Sequence, residues 1–236
     1  MIHALEAALT PAKTRGTEYL DARDTDPAIA LRSLADIRRA NRLFGGRNAV
    51  LAELRTAFAS CERGTVTLLD VGTGAGDIPA AARTVARIMG IELVTYGLEW
   101  SIPLAAAARG QCGPALVGDA RRLPVADGSV DIVTCSQLLH HFGGADAETV
   151  VRELHRVARR RVIIGEIRRS WLAAAGLWLA SWPLGFHPVS RHDGVVSVFR
   201  GFVCEELGAL VRNATGVVPD VTDRAGFRVT ASWRPS

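Results

Sequence analysis

The stretch Leu68-Leu69-Asp70-Val71-Gly72-Thr73-Gly74-Ala75-Gly76-Asp77-Ile78-Pro79 constrains the fold more than any other part of the chain. An apolar run over 66–71 ends next to an acid and meets glycine at every second position. It then passes directly into an alanine-rich helical stretch. This is the pattern of a strand, a tight turn and a helix N-terminus. Glycine permits dihedrals that a Cβ forbids and lets a ligand approach the main chain closely. The pattern implies a site for a nucleotide-like small molecule.

From Thr65 onward, apolar β-type runs alternate with helical stretches. Strands are predicted at 66–71, 91–98, 115–118, 130–135, 161–167, 217–221 and 226–233. Helices are predicted at 77–89, 101–109, 146–158 and 203–213. Such alternation predicts an α/β fold, a mostly parallel seven-stranded sheet with helices on both faces. The last two strands are separated only by a short turn over Asp223 to Ala225, so they must pair antiparallel as a hairpin.

Residues 1–64 read as an N-terminal helical cap. Asp26-Pro27 opens a helix with proline in its first turn, Ile29, Leu31, Leu34 and Ile37 supply its apolar face, and Gly45-Gly46 ends it. A further helix runs from about Arg47 to Ala59. Residues 65–236 form the second unit, with an insert at about 168–200 after the fifth strand.

Composition narrows the partners. Of 236 residues, 48% are hydrophobic and 22% charged, as in a globular chain with one large core. The first ten residues lack a basic start and a long apolar stretch, so no signal peptide is expected. The longest apolar run, Trp171 to Phe186, is interrupted by Ser181 and Pro183 and falls short of the roughly 20 residues a membrane span needs. Cys61, Cys112, Cys135 and Cys204 have no metal-like spacing; a reduced, cytoplasmic protein without a metal is expected. The net charge of +4 comes almost wholly from arginine. The arginine pairs and triplet sit in unrelated elements, so no nucleic-acid partner is expected.

In open α/β sheets ligands lie across the carboxyl ends of the strands. Strand two ends in Glu99-Trp100, where a carboxylate can accept both hydroxyls of a ribose. Strand three ends in Gly118-Asp119-Ala120, placed to face a purine amino edge. A Leu123-Pro124…Asp127-Gly128-Ser129-Val130-Asp131 turn feeds strand four, which ends in Ser136-Gln137-Leu138-Leu139-His140-His141-Phe142. Asp77 stands where a dinucleotide fingerprint would carry its third glycine.

Together these motifs resemble class I S-adenosylmethionine-dependent methyltransferases of Rossmann-like fold, of the small-molecule type similar to ubiquinone/menaquinone-biosynthesis enzymes. The resemblance covers about 65–167, and the terminal hairpin fits the same topology. It implies S-adenosyl-L-methionine as cofactor. Gly72, Thr73, Gly74 and Gly76 would line its methionine and ribose portion, and Asp70 would support the turn and the amino group. Glu99 would bind the ribose hydroxyls, with Trp100 beside the adenine, Asp119 and Ala120 at the adenine edge, and Gln137 at the methionine side. Asp119 as a helix N-cap and Trp100 as core remain open alternatives.

A phenol-like hydroxyl, with a pKa of roughly 10, benefits from a general base. His141 and His140 follow strand four, where the methyl group should lie; each is a candidate base or a residue that only closes the pocket. Arg191-His192-Asp193-Gly194 is a second constellation: Asp193 orienting His192 beside a substrate, or a polar turn. Trp171, Trp178 and Trp182 fall on one helical stripe of the insert, either as core or as the lid over an acceptor. Tyr19, Arg38 and Asn41 would close the other side. The stretch Arg191 to Phe202 also resembles methyltransferases associated with type III polyketide pathways. The expected reaction is methyl transfer to a small apolar or phenolic acceptor, with oxygen favoured over carbon, in secondary-metabolite, quinone or lipid biosynthesis. A nucleic-acid methyltransferase lacks support, because no Asn/Asp-Pro-Pro-aromatic turn follows strand four. A non-catalytic cofactor-binding module would keep the same glycine turn.

Overall fold

The computed structural model describes residues 9–14, 16–22, 25–61 and 64–235. Helix α1 (Pro27–Leu43) starts where the Asp26 carboxylate accepts the Ala28 N–H at 2.7 Å, and proline sits in its first turn. It ends at Phe44, and Gly45, left-handed at φ +82°, turns the chain directly into α2 (Gly46–Ala59). Val50, Leu54, Ala57 and Phe58 of α2 are fully buried against the sheet, so this part of the expected cap belongs to the main core.

The alternating region gives β1 (Thr65–Val71), α3 (Asp77–Ile88), β2 (Glu92–Glu99), α4 (Ile102–Cys112), β3 (Ala115–Val117), β4 (Val130–Ser136), α5 (Ala145–Val157) and β5 (Ala158–Ile167). The insert forms α6 (Trp171–Ser181) and α7 (Pro188–Arg200). Then come α8 (Cys204–Thr215), β6 (Asp220–Arg224) and β7 (Arg228–Trp233). The seven strands lie in the order β3-β2-β1-β4-β5-β7-β6. All pairings are parallel except those of β7 with β5 and β6. Side chains of the central strands alternate between two cores. Leu69, Val71 and Val133 pack on α5 and α8, whereas Leu68, Ile132 and Ile163 pack on α2 and α3.

The starts of two strands differ from expectation for a clear physical reason. Strand β6 begins at Asp220 rather than 217, because Pro219 has no N–H to give to the ladder. Strand β5 begins at Ala158, directly after α5, and its arginine start is stabilised by charge. Asp131, buried at the start of β4, takes Arg159 at 2.6 Å and Arg160 at 2.9 Å.

The insert and α1 join into a roof over the carboxyl ends of β1, β2, β4 and β5. Buried Asp36 of α1 accepts the His187 N–H at 2.8 Å and the Ser190 hydroxyl at 2.9 Å. Arg32 and Arg39 donate to the carbonyls of Gly185 and Leu184. Among the described residues no helix is long and apolar enough to cross a membrane.

Candidate active site

Beneath this roof lies a cavity of about 770 Å³. Its floor is the glycine turn between β1 and α3. Gly72 and Gly74 have φ of +71° and +55°, and the N–H groups of Gly72 and Thr73 bond the Leu98 carbonyl at the end of β2 at 2.9 and 3.2 Å. A Cβ on Gly72 would stand 2.9 Å from the Leu138 side chain. Gly76 serves differently: it is the N-cap of α3, and a Cβ there would stand 2.9 Å from the Cys112 backbone, so it sets helix contact rather than the cavity wall.

Glu99 is buried and accepts the Gly74 N–H; burial raises its pKa above the ordinary carboxylate value. Asp70 lies below the floor, fully buried, with Thr134 donating to it at 2.6 Å; burial pushes its pKa up to about 7. Trp100 is half exposed on the cavity rim. Asp119 lines the cavity with Ala120 and also pairs with Arg121 at 2.8 Å. Gln137 takes a left-handed φ of +51°, unusual outside glycine. Its N–H bonds the Gly165 carbonyl at 2.8 Å and its amide donates to Asn41 of α1.

A short 3₁₀ turn that also lines the cavity, Leu139–His141, presents both histidines. His140 is buried, with Nδ1 2.9 Å from Glu166 of β5. Burial alone would raise the Glu166 pKa, but His140 and a backbone N–H hold it below the ordinary value. His141 Nδ1 lies 2.7 Å from Asp21. Burial again opposes ionisation of Asp21, yet His141 and Arg200 hold its pKa well below the usual range. The two rings lie against each other, centroids 4.3 Å apart, and buried Glu18 faces the Nε2 atoms of both, its pKa raised by desolvation. Arg200 reaches Glu18 at 3.1 Å and Asp21 at 2.7 Å, and Ser197 donates to Glu18 at 2.9 Å.

Glu18, Asp21, Glu166 and Arg200 belong to no motif that the sequence displays. The sole hint in the sequence is Asp193. Its buried carboxylate accepts the N–H groups of Tyr19 and Leu20 at 3.0 and 3.1 Å, pinning the N-terminal segment to α7. Asp193 also contacts His192 Nδ1 at 2.8 Å, but His192 is half exposed and packs on Tyr19 outside the cavity. Trp178 likewise lies outside, stacked edge-on against Trp182, with the Arg191 guanidinium 3.9 Å above the Trp182 ring. The cavity face of α6 is instead Ala173, Gly176 and Leu177, and its tryptophans face solvent.

Of the buried side-chain polar atoms that lack a hydrogen-bond partner among the described residues, those of Thr73, Asp77, Ser136, His140 and Arg228 all belong to cavity-lining residues. Buried polar groups are normally satisfied, so this concentration marks a surface shaped for a polar ligand. The arrangement fits S-adenosylmethionine, because unpaired polar groups, a glycine cradle and a buried acid at the end of β2 line one cavity.

The family described as "Methyltransferase domain" matches residues 69–164. No curated protein sequence matches the chain. Among solved structures, a methyltransferase of Aquifex aeolicus superposes with a TM-score of 0.62 at 16% identity, covering 90% of this chain and 100% of that one. The magnesium protoporphyrin IX methyltransferase of Synechocystis, with bound S-adenosylhomocysteine, gives 0.55 at 17% identity over 85% of this chain and 87% of its own. A chain from the Haloferax volcanii complex of the Trm112 methyltransferase activator with a methyltransferase gives 0.54 at 17%, covering 91% and 99%. These likenesses are of fold; the domain match carries the activity. Residues 69–164 thus carry a methyltransferase domain, in a chain with the fold of S-adenosylmethionine-dependent methyltransferases.

Proposed function

We propose that the enzyme methylates a small apolar or phenolic acceptor, most readily at oxygen, in secondary-metabolite, quinone or lipid biosynthesis. One observation carries this reading. A single cavity is lined by the glycine turn and Glu99, by His140, His141, Glu18 and Asp21, and by apolar side chains such as Leu34, Leu177 and Phe186. Such walls suit a flat or lipophilic molecule, and the polar end suits a hydroxyl that must lose its proton.

In this reading Gly72, Thr73, Gly74, Asp70 and Gln137 hold the methionine part, directly or through the turn. Glu99 holds the ribose, and Trp100, Asp119 and Ala120 border the adenine; Gly76 sets the turn's approach to α3. When bound, S-adenosylmethionine supplies an electrophilic methyl group on sulfur. The protein's own work is to orient the acceptor and to manage its proton at the His140–His141 end. His141 is foremost there, because it is partly open to the cavity and Asp21 orients its ring. Trp178, Arg191 and His192 form the outer side of the lid, which they stiffen by ring packing, and Asp193 ties that lid to the N-terminal segment. The described residues from Glu18 through α1 then act as part of the acceptor enclosure. The four cysteines are free thiols, which supports a cytoplasmic setting.

The test is titration with S-adenosylhomocysteine, followed by incubation of phenolic and quinol acceptors with methyl-labelled cofactor and product analysis by NMR. Stoichiometric cofactor binding with labelled O-methyl product is the expected result. Binding without turnover on any small acceptor would leave a cofactor-binding module instead.

A further inference from the structure

We propose that Glu18, His140 and His141 hold a divalent transition-metal ion at the acceptor end of the cavity. The inference rests on the reading above for where the acceptor sits and sharpens what the two imidazoles do there. The three side chains each offer one ligand atom, and these atoms lie within 4.8 Å of one another. His140 Nε2 is 3.8 Å from one Glu18 oxygen, and His141 Nε2 is 3.9 Å from the other. These separations exceed a hydrogen bond and suit two donors flanking a cation at about 2.0–2.2 Å from each.

A second observation is independent of that clustering. His140 Nε2 is buried and has no hydrogen-bond partner among the described residues. Leaving a buried polar atom unpaired is costly, and a coordinated cation would offset that cost. The hydrogen bonds of both rings also leave free the atoms that a metal needs. The Nδ1 atoms are engaged by carboxylates, Glu166 for His140 and Asp21 for His141, which places the N–H on Nδ1 and the free lone pair on Nε2. Carboxylates behind ligating histidines fix tautomer and ring direction in metal sites.

The charges agree. Three carboxylates, Glu18, Asp21 and Glu166, stand against one guanidinium, Arg200, in direct contact with the cluster. With neutral imidazoles the cluster carries two net negative charges, matched by one divalent ion. Arg200 and Ser197 both bind the Glu18 oxygen nearer His140, leaving the oxygen nearer His141 the more available. Two imidazoles and one carboxylate suit zinc, iron or manganese better than magnesium or calcium, which prefer oxygen ligands.

The remaining coordination positions open on the cavity and would receive the acceptor oxygen. There the ion lowers the hydroxyl pKa. The O–H bond breaks and its proton leaves to solvent. The oxygen lone pair then forms the new bond to the methyl carbon as the carbon–sulfur bond breaks, its electron pair returning to sulfur.

The experiment treats the full chain with EDTA and titrates it with Zn²⁺ and Mg²⁺ by calorimetry, and with Co²⁺ by visible absorption. About one Zn²⁺ per chain, Co²⁺ bands of an imidazole-containing site, and no competition from Mg²⁺ are expected. His141→Ala should abolish the Co²⁺ bands, and Asp21→Asn should weaken Zn²⁺ binding about 10–100-fold. Both variants are first checked for S-adenosylhomocysteine affinity, which reports an intact fold. No Zn²⁺ uptake by the wild-type chain, or Co²⁺ bands unchanged in His141→Ala, overturns the proposal. Wild-type protein that binds S-adenosylhomocysteine but no Zn²⁺ loses only the metal; protein that fails to bind S-adenosylhomocysteine loses the proposed function instead.

Discussion

Glu99, the last residue of β2, accepts the backbone N–H of Gly74 in the glycine turn after β1. The acid expected to hold the ribose therefore also braces the loop expected to cradle the methionine part. Two motifs that are far apart in sequence act as one unit, because β1 and β2 are neighbours in the sheet. A charge-assisted hydrogen bond is worth about 1.5–3 kcal/mol. Glu99→Gln should therefore weaken S-adenosylhomocysteine binding by about 10–100-fold in calorimetry, with circular dichroism unchanged.

Gly74 stands at φ +55°, and a Cβ added to it would lie 3.3 Å from Leu34 Cδ1. A β-branched residue is disfavoured in that conformation, and its methyl groups would enter the cavity. Gly74→Val should fold but show no measurable S-adenosylhomocysteine binding. Wild-type affinity in this variant would sink the assignment of the cofactor pocket.

His141→Ala removes the imidazole that faces both the cavity and Asp21. Loss of proton management of this kind lowers turnover by about 10²–10⁴-fold. The expected split is a fall in kcat with cofactor affinity unchanged, measured by initial rates and by calorimetry.

Asp70 has a pKa raised from 3.8 to about 7 by burial. The folded state therefore holds this proton more tightly than the unfolded chain does. Its favourable contribution is fully present below about pH 4 and is lost as pH rises through about 7. Asp70→Asn keeps an acceptor for Thr134 and cannot ionise. The melting temperature of the variant relative to wild type should rise between pH 5 and pH 8; a constant difference would show that Asp70 does not titrate in this window.

Asp193→Ala would free the amides of Tyr19 and Leu20. Hydrogen exchange at residues 16–22 should accelerate while the central strands stay protected. Acceptor KM should rise more than kcat falls, because this segment carries Glu18 and Asp21 into the cavity.

Much of the cofactor end is legible in the sequence. The glycine turn, Glu99 and Asp119 all sit at strand ends, and strand ends are read from hydrophobic periodicity. The antiparallel hairpin follows from the short connection between the last two strands. Local patterns mislead where one residue matters: Pro219 delays β6, and Asp131 draws Arg159 and Arg160 into β5.

The acceptor end is not legible, for a physical reason. Apart from His140 and His141, which sequence reading places after the fourth strand, its residues come from the N-terminal segment, the end of β5 and α7, and none of those has a periodic or spaced signature. Buried carboxylates such as Glu18 and Glu166 look like any surface acid until the sheet and roof remove them from water. The tryptophans of α6 show the converse: a stripe that sequence reading allows as core faces solvent, because the side of the helix that carries Ala173, Ala174 and Leu177 is the one that packs on α7. The sequence alone determined the sheet and the glycine turn, which depend on local backbone geometry, and the methyl donor followed from the family its motifs resemble. Only the tertiary structure decided which charges face one another across the cavity, because burial and pairing are properties of the assembled chain.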